Sequence, residues 1–286
     1  MPTATLNGIR IHYQDEGQGE PLVLVHNVIA DLSAYDDNAP AFARHFRVVR
    51  YDIRGHGGST KAETQAQAEA FYTFENTAED LYQLLRHLGI YRCYLLGQAY
   101  WGVTTACTFA ARHPEMVKGL IAVSCDLMPT PAGQGLFDNL DGELRAGFER
   151  LHAVARDKGM LAVFEARKST RTFWGHKLMN SPDILERFRR MYADTSPLTF
   201  LNFPTMTPQA KQQIVDTLQA RRIPVLVLTG VEDPEPQRMI AAWKRDYPDC
   251  HALLLPECGH YVAIENPADF NRAVLNFLAG IGTLRC

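Results

Sequence analysis

The chain has no long apolar run, no marked excess of either charge and no cysteine pair at ligand spacing, and each absence removes a class of function. No stretch of eighteen apolar residues occurs in its 286 positions, so a membrane-spanning helix is not expected. A net charge of −3, with Lys and Arg dispersed along the chain, provides no basic patch to attract nucleic acid. The six cysteines, at 93, 107, 125, 250, 258 and 286, form no CxxC pair; they read as buried thiols in a reducing compartment. No basic apolar leader accompanies Met1-Pro2-Thr3, and the expected location is the cytoplasm. His26, His56 and His260 fall on separate loops with no metal-ligand spacing, so neither a metal nor an organic cofactor is expected.

What is present is an alternation of strand-like and helix-like segments. Ala4 to Asp15 alternates apolar and polar residues and reads as a β-hairpin, with Asn7-Gly8 and Gly17-Gln18-Gly19 as turn signals. Strands and helices then alternate up to Cys125, the mark of an α/β fold with a mostly parallel central sheet and helices on both faces. From about Leu127 to Arg222 the pattern is helical, broken at Gly133-Gln134-Gly135, Ser181-Pro182 and Ser196-Pro197, with no convincing strand. The chain therefore reads as one α/β core, residues 1–126 and 223–286, carrying a helical insertion at 127–222. That insertion holds Phe137, Phe148, Phe164, Phe173, Trp174, Phe188, Tyr192, Phe200 and Phe203. Most of these must pack the insertion itself; Phe173 and Trp174 are the ones expected to line a pocket.

The most telling absence is at position 99. Cys93-Tyr94-Leu95-Leu96 suits a buried strand, Val103 to Arg112 suits a helix, and Gly97 is read as the break between them. This is the setting of a strand-turn-helix G-x-S-x-G, in which a strained turn exposes the central nucleophile. Here the centre is Ala99, and a methyl group cannot attack a carbonyl. Gly102 comes one place late, and the plainer reading is an ordinary strand-to-helix turn.

Further segments bear on that choice. Pro21 to His26 is an apolar strand ending in His26-Asn27. Val48 to Ser59 contains Asp52-Ile53-Arg54-Gly55-His56-Gly57-Gly58-Ser59, and Ala111 to Ile121 contains Arg112-His113-Pro114 before a strand. The strand Pro224 to Gly230 delivers Asp233 to the carboxyl edge of a parallel sheet, where open α/β folds place their sites. His260 follows Leu253-Leu254-Leu255 by a short loop and reaches the same edge. Taken in order with the turn at Ala99, these segments resemble the α/β-hydrolase superfamily over nearly the whole length. The middle third is similar only in general character, looking like the helical cap that roofs the site.

The resemblance implies a nucleophile position at Ala99, Asp233 as the orienting carboxylate and His260 as the general base. Asp126, after the strand Leu120 to Ser124, is the competing acid. The amides of Tyr100 and Val28 would bind a developing oxyanion, and losing one such donor costs roughly a hundred- to a thousandfold in rate. His26, Asn27, Trp101 and Asp126 are further expected at the substrate pocket. The aromatic cap suggests a small apolar or aromatic ester, lactone or activated C–C substrate rather than a polymer. Two departures stand out: Asn27 replaces the usual glycine, and Trp101 replaces a small residue after the turn. Three accounts of Ala99 are open. It is an inactivating change in a serine hydrolase, or the chain is a natural nucleophile-less enzyme using His260 as base for cyclisation, elimination or oxygenation, or it is a ligand receptor.

Overall fold

Asn7 and Gly8 both take positive φ, 48° and 74°, the backbone of a tight two-residue hairpin turn. They join β1 (Thr3–Leu6) to β2 (Ile9–Glu16) with Leu6 opposite Ile9. The remaining strands are β3 (Pro21–Val25), β4 (Arg47–Tyr51), β5 (Cys93–Gln98), β6 (Val117–Val123), β7 (Val225–Gly230) and β8 (His251–Leu255). The computed structural model describes residues 2–131, 134, 136, 142–170 and 173–283. Gly133, Gly135, Phe137 and Cys286 lie outside them.

The strands form one sheet in the order β1-β2-β4-β3-β5-β6-β7-β8. β1 and β2 run antiparallel to their neighbours, and from β4 to β8 every pairing is parallel. β5 and β7 are buried along their whole length, because helices cover both faces of a parallel sheet and leave no polar side. β8 is the outer strand, and Leu253 and Leu254 are exposed there. Pairing of Val25 with Gly97, Gln98 with Val123 and Gly230 with Leu255 aligns the strand ends. The strand order reverses around β3, which has β4 on one side and β5 on the other. A crevice at the carboxyl ends of the strands follows from that reversal.

Gly97 does not break the strand as expected; it is the fifth residue of β5, and the helix Ala99–Arg112 begins two residues later. Gly97 instead permits a close crossing, since a Cβ there would lie 2.4 Å from the Gly102 carbonyl oxygen.

Between β6 and β7 the described chain is helical. Ser181, Ser196 and Thr207 each cap a helix, accepting from the amides of Ile184, Leu198 and Ala210, with proline following. Both devices favour helix starts, the hydroxyl by satisfying an orphan amide and proline by its fixed φ. The helix Met160–Thr170 packs on both Gly142–Lys158 and Pro182–Asp194, whereas Pro208–Ala220 packs on Ala99–Arg112. The last helix of the insertion thus joins the layer that covers the sheet. No helix among the described residues is long and apolar enough to cross a membrane.

Candidate active site

Gln98 closes β5 in extended conformation (φ −109°, ψ 132°), and Ala99 then turns to φ 51° before the helix proceeds. An alanine in the left-handed region costs on the order of 1–2 kcal/mol, so the surroundings must impose it. Gly102 shows how: a Cβ there would lie 2.5 Å from the Val25 carbonyl oxygen and 2.7 Å from that of His26. The helix therefore presses on the end of β3, and the turn has no room to relax. Ala99 lies at the head of that helix, where the first-turn amides, Tyr100 among them, lack intrahelical acceptors.

Two loops, from the ends of β7 and β8, border the same cavity as this turn. At the end of β7, a Cβ on Gly230 would sit 2.1 Å from the Cys258 carbonyl oxygen, so only glycine allows the two loops to meet. The Glu232 amide donates to that same carbonyl at 3.0 Å. The result is that His260 Nδ1 lies 2.9 Å from Asp233 Oδ2, which also accepts from Thr229 Oγ1 at 3.1 Å. Asp233 is buried and the His260 side chain nearly so. With Nδ1 held by the carboxylate, Nε2 is the ring nitrogen that has no hydrogen-bond partner among the described residues. The edges of Phe173 and Tyr261 flank the imidazole at 5.0 and 5.4 Å between centroids. Glu265 secures the loop from behind, accepting from the amides of Gly259 and Tyr261. Burial raises the Glu265 carboxyl above its ordinary value, against the pull of these amides.

Ala99, Asp233 and His260 open onto one cavity of about 110 Å³ whose walls include Asn27, Val28 and Tyr100. Phe148, Phe173, Phe200 and Phe203, all from the insertion, line it as well. Asp126 also borders the cavity, but it faces Arg238, with two contacts of 3.3 Å, rather than His260. Ser124 and Cys125, which the sequence did not single out, border it too. The Cys125 thiol is pushed well above its usual value by burial and by the neighbouring Asp126 and Asp233, which keeps it from serving as a thiolate.

Three residues expected at the pocket stand elsewhere. Trp174 packs among Phe164, Phe188 and Tyr192 at 5.5, 5.9 and 6.3 Å, filling the core of the insertion because its neighbours on the adjoining helices are aromatic. Trp101 is fully buried against His56, Tyr72 and Phe203, since its place in the first helical turn points it back into the protein. His26 is a structural pin: Nδ1 donates to the Asn27 carbonyl at 2.7 Å and Nε2 accepts from the Ile53 amide at 2.9 Å. Burial lowers its pKa, and burial beside His26 lowers that of His56 further. No cluster of metal-ligating side chains occurs among the described residues.

A profile of the alpha/beta hydrolase fold matches residues 20–267. The chain belongs to this family. As an α/β hydrolase it is 28% identical to epoxide hydrolase 3 of Xenopus tropicalis, over 95% of this chain and 75% of that protein. It is 29% identical to a 2-hydroxy-6-oxononadienedioate/2-hydroxy-6-oxononatrienedioate hydrolase of Burkholderia vietnamiensis, over 94% and 91%. The enol-lactonase of Burkholderia xenovorans LB400 has the same fold, with a TM-score of 0.76 at 22% identity over 97% of this chain and 100% of that one.

Proposed function

We propose that this α/β hydrolase carries a serine-hydrolase site, formed for cleavage of an ester, lactone or activated C–C bond in a small apolar or aromatic substrate, with alanine in the nucleophile position. One observation carries the reading: Ala99 is held at φ 51° on the wall of the cavity that also receives the Asp233–His260 pair. A strained turn has no use for a methyl group, but it serves to project a nucleophile beside a base. With serine at 99, His260 would take the hydroxyl proton at Nε2 while Asp233 fixes the tautomer and orientation of the ring. The amides of Tyr100 and Val28 would receive the oxyanion, supported by the positive end of the helix Ala99–Arg112. Helices 142–201 would act as the cap. With alanine at 99 no acyl-enzyme can form, and the chain is close to inert by this route.

Ala99→Ser tests the reading. Short p-nitrophenyl esters should give a burst of p-nitrophenol, and a fluorophosphonate probe should label the serine form only. A folded serine form that gives neither burst nor label would remove serine-hydrolase chemistry. That outcome would favour a second reading, in which His260 acts as base without a nucleophile. The observation behind it is Asn27, a polar side chain on the cavity wall where the family usually has glycine.

A further inference from the structure

Two arginines border the cavity, and their surroundings are opposite. Arg238 is half exposed and already neutralised by Asp126 and Glu235. Arg167 is 4% exposed and has no carboxylate partner among the described residues. Its neighbours are the hydroxyls of Tyr192 and Tyr261 and the face of Phe173, 5.5 Å from the guanidinium carbon. Its Nε is buried with no hydrogen-bond partner among the described residues.

The position is as unusual as the environment. Met160, Val163, Phe164 and Arg167 are the buried residues of the helix Met160–Thr170, an i, i+3, i+4, i+7 stripe. The fourth place of such a stripe ordinarily holds an apolar side chain. A guanidinium there has lost its water without gaining a counter-charge, an arrangement that is costly unless something anionic completes it. Phe173 connects this cation to the site, since the same ring that lies under Arg167 packs its edge on His260.

We propose that Arg167 is a specificity-determining residue that binds a carboxylate of the substrate, so that the cavity takes a small apolar acyl compound bearing a free acid group. This rests on the cavity being the substrate site proposed above. A planar guanidinium offers paired N–H donors that match a carboxylate, and the aromatic walls suit the apolar body between the acid and the scissile bond. Arg238, held by two carboxylates, is not available for this role.

The absence of a nucleophile lets binding be read without turnover. Butyrate, hexanoate and phenylacetate should each be titrated calorimetrically into the chain, alongside their primary amides. At least one acid should bind roughly tenfold or more tightly than its amide. That preference should vanish in Arg167→Met, persist in part in Arg167→Lys and survive in Arg238→Met. If no acid binds better than its amide in the unmodified chain, or if the preference follows Arg238, the proposal fails; the unmodified chain decides this even where Arg167→Met does not fold. Esterase activity in Ala99→Ser without an acid preference would refute the carboxylate subsite alone. An acid preference without esterase activity would refute the hydrolase reading alone.

Discussion

At the scale of single residues, the site depends on which atoms are already engaged. His260 has Nδ1 committed to Asp233, so exchanging the carboxylate for an amide would invite the wrong tautomer. In the Ala99→Ser form, Asp233→Asn should lower kcat by about four orders of magnitude with KM nearly unchanged, measured on the same p-nitrophenyl esters. Asp126→Asn should leave kcat within about tenfold, because its carboxylate serves Arg238 and not the imidazole. The placement of Asp233 and His260 side by side was legible in the sequence, because each follows a strand by a short loop to the same sheet edge. Arg167 was not. In the string Glu165-Ala166-Arg167-Lys168 it looks like one more surface cation, and only its register with Met160, Val163 and Phe164 distinguishes it. Trp174 misled for the converse reason: composition identifies an aromatic residue but does not say whether it faces a cavity or three other rings.

At the scale of elements, the turn at Ala99 depends on two close approaches that glycine alone permits. Gly102→Ala would drive a methyl group toward the carbonyl oxygens of Val25 and His26, and the helix would have to lift away from β3. The expected result is a loss of about 1–3 kcal/mol in urea unfolding. The strands themselves were readable as Val- and Leu-rich runs, because burial on both faces leaves a parallel strand no polar alternation. The end of β5 was harder to place. Gly97 has the look of a breaker, yet its missing side chain serves the contact with Gly102 while the strand continues through it. The insertion was readable as helical from its apolar spacing; Ser181-Pro182 and Ser196-Pro197, read there as breaks, are helix starts in the structure. Nothing in its periodicity showed that the helix Pro208–Ala220 would pack on Ala99–Arg112, because an amphipathic stripe does not name its partner.

At the scale of the whole molecule, the loop network at the strand ends couples stability to pH. His26 and His56 are fully buried, in edge contact at 5.0 Å, and both are depressed below 6.5 by burial. A depressed histidine binds its proton more weakly in the folded state than in the unfolded one. Its stabilising contribution is therefore present above the unfolded value near 6.5 and is lost as pH falls below it. Each group can contribute up to about 1.4 kcal/mol per pH unit in that window. Urea midpoints should drop between pH 7 and pH 5, and His56→Phe should show a shallower fall. An unchanged slope in that variant would remove His56 from the account.

A methyl group at position 99 bears on time as well as on rate. An enzyme consumes what it binds, so its occupancy decays as substrate is spent. If Ala99 stands at the point of attack, as proposed above, the chain reaches equilibrium with its ligand and stays there. Its fold then gains stability by mass action, about 2.7 kcal/mol once free ligand stands a hundredfold above its dissociation constant. On the proposed reading, such a chain would hold its ligand as a reservoir rather than spend it.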